Sequence, residues 1–178
     1  MRMFRRLPAL FLALALTLSL APSASAASTG SFRDVPSTHW AADAIRRSAQ
    51  AGLIQGKTAT TFGLGQPMTR GAFVSVLCRF FQWELVEHTG SFPDVPDGLW
   101  CRRAVETALA HGAITTQVDE FRPGDAITRE EMAVMLVRGL GYGAISGLDL
   151  GFSCPFTDVT TNTGYLALAQ KLGIVNGT

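Results

Sequence analysis

The sequence is poor in the residues from which metal, redox and catalytic sites are built. Cysteine occurs three times in 178 residues, as Cys78, Cys101 and Cys154. None forms a Cys-x-x-Cys pair, and none lies at metal-ligand spacing from a histidine, so no metal site is assigned. An odd count leaves at least one thiol unpaired, and the cysteines read as structural residues rather than as a disulfide framework. The histidines, His39, His88 and His111, are scattered along the chain. The adjacent acids Glu130 and Glu131 sit at an expected helix start, where they read as a capping arrangement and not as a hydrolytic dyad. No nucleophile, base or cofactor motif stands out, and no catalytic residue or cofactor is assigned. A charge excess is also missing. The chain has 15 basic and 14 acidic residues; three arginines and no acids fall in the first 26 positions, which leaves 12 basic against 14 acidic, a net charge of −2. That balance gives no electrostatic footprint for nucleic acid or for an anionic membrane surface.

The N-terminus has what the rest lacks. Arg2, Arg5 and Arg6 precede an apolar run from Leu7 to Leu20, and Ala24-Ser25-Ala26 follows with small residues. This order is that of a secretory signal peptide cleaved after Ala26. The apolar run is shorter than the ~20 residues that span a bilayer, so no stable membrane insertion is expected once the leader is removed.

The remainder repeats itself. Phe32-Arg-Asp34-Val35-Pro36 recurs as Phe92-Pro-Asp94-Val95-Pro96, Trp40 as Trp100 and Gly52 as Gly112. Phe62, Gly65 and Thr69-Arg70 recur as Phe121, Gly124 and Thr128-Arg129. A third copy opens at Phe156-Thr-Asp158-Val159, and the sequence reaches Thr178 about halfway through it. Each copy reads as two helices. The first presents Ala41, Ala44, Ile45 and Ser48, or Cys101, Ala104, Val105 and Ala108, at helical spacing, and ends at Gly52 or Gly112. The second begins at Thr69 or Thr128 as cap, with Thr128 and Glu131 forming a capping box, and carries the stripes Phe73, Val76, Leu77, Phe80, Phe81 and Met132, Met135, Leu136, Leu140. A short extended piece is expected around Phe62 and Phe121, between the helices. One such hairpin cannot bury its apolar face alone, so the fold class is all-α, built from repeated helical hairpins packed on one another.

Taken together, Phe-x-Asp-Val, Trp, Gly-(Ile/Leu)-x-x-Gly, Phe and Thr-Arg-x-Glu resemble the S-layer homology (SLH) domain over most of the chain beyond Ser31. The division that follows is a signal peptide at 1–26, copies at 31–86 and 91–143, a Gly-rich connector at 144–153 and a partial copy at 154–178. The resemblance implies a pseudo-threefold arrangement of three repeats and a protein anchored non-covalently at the bacterial cell wall or S-layer surface. The implied partner is secondary cell-wall polysaccharide, often pyruvylated, or modified peptidoglycan. It also implies a binding role for Arg70 and Arg129, Trp40 and Trp100, and Asp34 and Asp94. An Arg in the first turn of a helix can grip a ketal carboxylate bidentately, an indole can cover a sugar face, and Asp can accept from hydroxyls. The sequence departs from the pattern in copy one, which reads Thr69-Arg70-Gly71-Ala72, and in copy three, where Thr161 or Asn162 stands in place of the Trp and no Thr-Arg occurs. Two other readings stay open: the targeting part of a larger exported enzyme truncated after Thr178, and a self-assembling structural surface protein.

Overall fold

A computed structural model of the chain describes residues 31–87, 90–144, 151 and 153–177. The expected signal peptide and most of the 144–153 connector lie outside them. The described residues form five α-helices: α1 (Ala42–Gln50), α2 (Arg70–Phe80), α3 (Arg102–Ala110), α4 (Arg129–Val137) and α5 (Thr163–Lys171). A π-helical turn, Arg138–Tyr142, continues α4. No strand occurs among the described residues. The extended piece expected near Phe62 and Phe121 is instead irregular chain, and an isolated antiparallel bridge joins Thr69 and Ala126. The fold is all-α.

The helix ends follow from local chemistry. The Thr69 hydroxyl accepts from the Ala72 N–H at 3.3 Å, and the Thr128 hydroxyl from the Glu131 N–H at 3.1 Å. Only the second cap is reciprocated, because the Glu131 carboxylate accepts from the Thr128 N–H at 2.9 Å and copy one has Ala72 there. Helices α1 and α3 stop where Gly52 and Gly112 enter the left-handed region at φ +71° and +69°, which a residue without Cβ adopts freely.

The helices do not pair as sequence neighbours within a copy. Helix α2 packs on α3, and α4 on α5, so each packing unit straddles two copies. Val74, Leu77 and Cys78 of α2 meet Cys101, at the N-cap of α3, and Val105 and Ala108 of α3 around Phe92 and Phe121. Ala133, Val134 and Val137 of α4 meet Tyr165, Leu166 and Ala169 of α5. Small residues set this choice. A Cβ on Gly71 would stand 2.9 Å from the Cys101 sulfur, so α2 lies against the start of α3 at a distance that only glycine permits. Helix α1 has no comparable helix partner among the described elements and closes only a small cluster of Phe32, Ile45 and Ala49. Ala104, Thr107 and Ala108 of α3 are buried, whereas their counterparts Ala44 and Arg47 on α1 are exposed and Ser48 is half-buried. The apolar stripe of the second helices is rotated from the expected one. Val74, Val134 and Val137 are buried, while Phe80 and Leu140 are exposed, because α3 and α5 cover only the flank nearest them.

Candidate functional site

The two Phe-x-Asp-Val motifs build corresponding clamps. Asp34 accepts from the N–H groups of Phe62 (2.8 Å), Gly63 (2.7 Å) and Leu64 (3.1 Å). Asp94 accepts from those of Phe121 (2.9 Å) and Arg122 (2.6 Å). Each aspartate thereby fixes the loop before the second helix of its own copy. The same loop places an aromatic ring over the motif Phe, with ring centres 5.4 Å apart for Phe32–Phe62 and 5.7 Å for Phe92–Phe121. The N–H of Phe62 does most to hold the Asp34 carboxyl below its usual range; burial pushes the other way, and Gly63 and Leu64 add to the lowering.

Arg70 fastens copy one to copy two. Its side chain is 7 % exposed and lies over the Phe121 ring, 4.9 Å from the ring centre. Nε donates to the Phe121 carbonyl at 2.8 Å, and the guanidinium pairs with Glu131 at 2.7 Å. The N–H groups of Arg70 and Gly71 at the start of α2 donate to the carbonyls of Asp125 (2.9 Å) and Pro123 (3.0 Å). The copy-two loop is thus seated on the N-terminus of α2, its carbonyls meeting the positive end of the helix dipole. Burial lowers the pKa of Arg70 and the Glu131 charge opposes that lowering. Burial works against an ionised Glu131, but the Thr128 N–H, Arg70, the Thr128 hydroxyl and Arg122 outweigh it and keep the carboxyl below its ordinary value.

The remaining candidates are open to solvent. Trp40 is 90 % exposed and Trp100 67 %. Both stand two residues before a first helix, and neither is a core anchor. Arg129 is exposed and lines an open groove of about 590 Å³ with Glu130, Phe156, Asp158, Leu166 and Asn176. The six residues picked out by the sequence therefore separate: Arg70, Asp34 and Asp94 are committed to internal contacts, while Trp40, Trp100 and Arg129 face outward. Sequence reasoning missed Arg122. It ion-pairs with Glu131 at 3.0 Å while half exposed, and holds φ at +59°, a conformation costing a non-glycine residue about 1 kcal/mol. Its counterpart Gly63 holds φ at +92°, so an arginine standing where the other copy needs glycine was the signal available.

Cys78 and Cys101 are buried and free, and Cys154 is half-buried and free. Burial pushes the Cys78 thiol up to about 11 and also raises Cys101, which keeps both as unreactive core residues. Among the described residues, no cluster of His, Cys, Asp or Glu could hold a metal, and no helix is long and apolar enough to cross a membrane.

The family model of the S-layer homology domain matches residues 31–74 and 91–133. An exoglucanase of Acetivibrio thermocellus is 30 % identical over 171 residues, which is 91 % of this chain and 15 % of that protein. A cellulosome-anchoring protein of the same organism is 32 % identical over 145 residues, 79 % of this chain and 32 % of its own length. A surface-layer 125 kDa protein of Lysinibacillus sphaericus is 29 % identical over 112 residues, 60 % of this chain and 10 % of its own. The chain thus spans a third or less of the length of each of these relatives. The matched segments are an anchoring domain with no catalytic part, and they place the protein at the cell wall and cell surface. With the clamps, the Thr-Arg helices and both matched segments in hand, the chain belongs to the S-layer homology family.

Proposed function

We propose that the protein is held on the wall by secondary cell-wall polysaccharide, gripped by its outward-facing side chains. Trp40 and Trp100 cover sugar rings, and the exposed cations Arg122 and Arg129 meet anionic substituents such as pyruvate ketals. The observation that carries this reading is the exposure of two tryptophans at equivalent repeat positions. An exposed indole offers a large, flat apolar face with a polar N–H at its edge, which suits the apolar side of a sugar ring. Arg70 and Asp94 act indirectly in this reading, as the residues that hold the loop bearing Arg122 in place, and Asp34 holds the corresponding loop of copy one. Modified peptidoglycan is the other polymer of the same class. No catalysis is assigned to the described residues.

Co-sedimentation with purified wall sacculi tests the proposal. The W40A/W100A double variant should lose at least tenfold in affinity while its circular dichroism stays unchanged, and chemical removal of pyruvate should weaken binding of the unaltered chain. Full retention of binding by the double variant would overturn the role given to the tryptophans.

A second reading has its own support. Relatives include the exoglucanase above and an amylopullulanase of Thermoanaerobacterium thermosulfurigenes of which this chain covers 8 %. In that reading the chain is the targeting part of a larger exported enzyme, and sequencing the gene past codon 178 decides it.

A further inference from the structure

The clamped loops of copies one and two each carry one cation, but from different places in the chain. In copy two it is Arg122, directly after Phe121. In copy one that position is Gly63, and the only charged residue between positions 56 and 66 is Lys57. Counting back five residues from Phe62 and from Phe121 matches Lys57 with Thr116, so neither cation has a charged counterpart in the other copy. In space the two change places. A Cβ built on Gly63 would stand 3.0 Å from both Cδ and Cε of Lys57 and 3.3 Å from its Cγ. The lysine stem therefore lies where the Arg122 side chain leaves the backbone in copy two, on a loop that Asp34 clamps as Asp94 clamps the other. Lys57 is exposed, so its apolar stem covers the glycine while the ammonium stays in water.

The surroundings of the two cations differ. Arg122 is drawn to Glu131 at 3.0 Å and to Asp125 at 3.6 Å, and Asp119 and Glu120 stand just before Phe121 on the same loop. The positions equivalent to these four acids in copy one are Ala72, Gln66, Thr60 and Thr61. Lys57 forms no ion pair among the described residues. Arg33 adds a second cation beside the loop, since its backbone N–H donates to the Thr60 carbonyl at 2.9 Å, and copy two has Pro93 in its place. The one carboxylate of the copy-one loop is that of Asp34, which is turned onto three backbone N–H groups.

We propose that Lys57 is the anion-contacting residue of copy one, a binding position that replaces the arginine of copy two. The inference rests on the polysaccharide reading above and deepens it. The group that Lys57 takes is a carboxylate substituent of the wall polymer, such as a pyruvate ketal. The copy-one loop holds that group more tightly than the copy-two loop, because no neighbouring acid competes for its cation.

Co-sedimentation with wall sacculi, before and after chemical removal of pyruvate, tests the assignment. Lys57→Met keeps a stem over Gly63 and removes the charge. It should lose about fivefold in affinity for the native polymer, the size of a good exposed ion pair, and should match the unaltered chain on the pyruvate-free polymer. Lys57→Arg should bind the native polymer as the unaltered chain does, and Arg122→Met should lose less than Lys57→Met. Lys57→Thr combined with Gly63→Arg rebuilds the copy-two arrangement and should recover the binding that Lys57→Thr loses alone. Circular dichroism checks that each variant keeps its helices. Full binding by Lys57→Met, or an equal loss on both polymers, would overturn the role of Lys57. If W40A/W100A loses affinity in the same assay, that result removes Lys57 alone and leaves the polysaccharide reading standing. Full binding by W40A/W100A beside a pyruvate-dependent loss in Lys57→Met would remove the tryptophans and keep the lysine.

Discussion

Arg70 and Arg129 open equivalent helices in successive copies of one repeat, and both follow a capping threonine. Arg70 is buried, ion-paired and pressed on an aromatic ring, while Arg129 is exposed at the edge of a groove. The same dipeptide has become a fastener at one junction and an open cation at the other. What differs is the surroundings. A loop sits over Arg70, and its ring, carbonyls and Glu131 replace the water that an arginine otherwise keeps. A motif residue in a repeat protein therefore takes its role from the neighbouring copy, since neighbouring copies supply most of each other's packing.

The sharpest way to break the comparison is to remove each arginine in turn. Arg70→Ala strips a buried cation from Glu131 and an N–H donor from the Phe121 carbonyl. Stranding a fully buried charge costs about 3–5 kcal/mol, and because Glu131 is only partly buried and keeps Arg122 as a partner, the loss should be about 3 kcal/mol or less. Arg129→Ala should change stability by less than about 0.5 kcal/mol, as for other exposed positions. Urea denaturation of the two variants gives both numbers, and equal losses would show that the two sites do not differ.

The next residue separates the junctions by packing. Gly71 lies so close to Cys101 and to the Pro123 carbonyl that an added methyl must displace one of them. Gly71→Ala should cost about 2 kcal/mol by overpacking, and the double variant Gly71→Ala with Cys101→Ala should recover part of it. The counterparts at the second junction are Glu130 of copy two and Asn162 of copy three, which meet through a hydrogen bond of 2.8 Å, so one junction closes on small side chains and the other on polar ones.

Acid probes the Asp34 clamp within copy one and the Glu131 carboxylate at the first junction. Asp34 and Glu131 sit below their ordinary values of 3.8 and 4.5 in the folded chain. A carboxyl whose folded pKa is depressed contributes stability above its unfolded value and loses it as pH falls through the folded one. Stability should therefore be flat above about pH 5 and fall below about pH 4. In Arg70→Ala the Glu131 share of that fall should shrink, which thermal melts across the acid range would detect.

Much of this organisation was legible in the sequence, and the illegible part has a physical reason. The repeat, the helix starts and the Thr128–Glu131 box depend on residues within a few positions of one another, and the sequence displays them directly. The partner of each helix does not. About twenty residues separate every pair of successive helices, so chain order leaves the pairing of α2 with α1 or α3 undecided, and Gly71 against Cys101 resolves it only in three dimensions. The candidate site was hidden for the same reason. The family resemblance singled out Trp40, Trp100 and Arg70 alike, but the burial of Arg70 depends on Phe121 and Glu131, some fifty to sixty residues away. Arg122 escaped notice because its importance lies in a backbone conformation that its glycine counterpart adopts without strain.

The smallest expected effect concerns the caps. Thr128→Ala removes the hydroxyl that accepts from Glu131 and should cost about 1 kcal/mol, the usual worth of an N-cap. Thr69→Ala removes a similar hydroxyl, but the start of α2 keeps two further partners, because the N–H groups of Arg70 and Gly71 donate to the carbonyls of Asp125 and Pro123. Its cost should fall to about 0.5 kcal/mol, the low end for a cap whose helix end is otherwise satisfied. Chemical denaturation resolves a difference of that size when the two variants are measured side by side. If the seated loop takes over part of the capping, Thr69→Ala is the milder change. A larger loss from Thr69→Ala would mean that the hydroxyl, and not the loop, holds the end of α2 together.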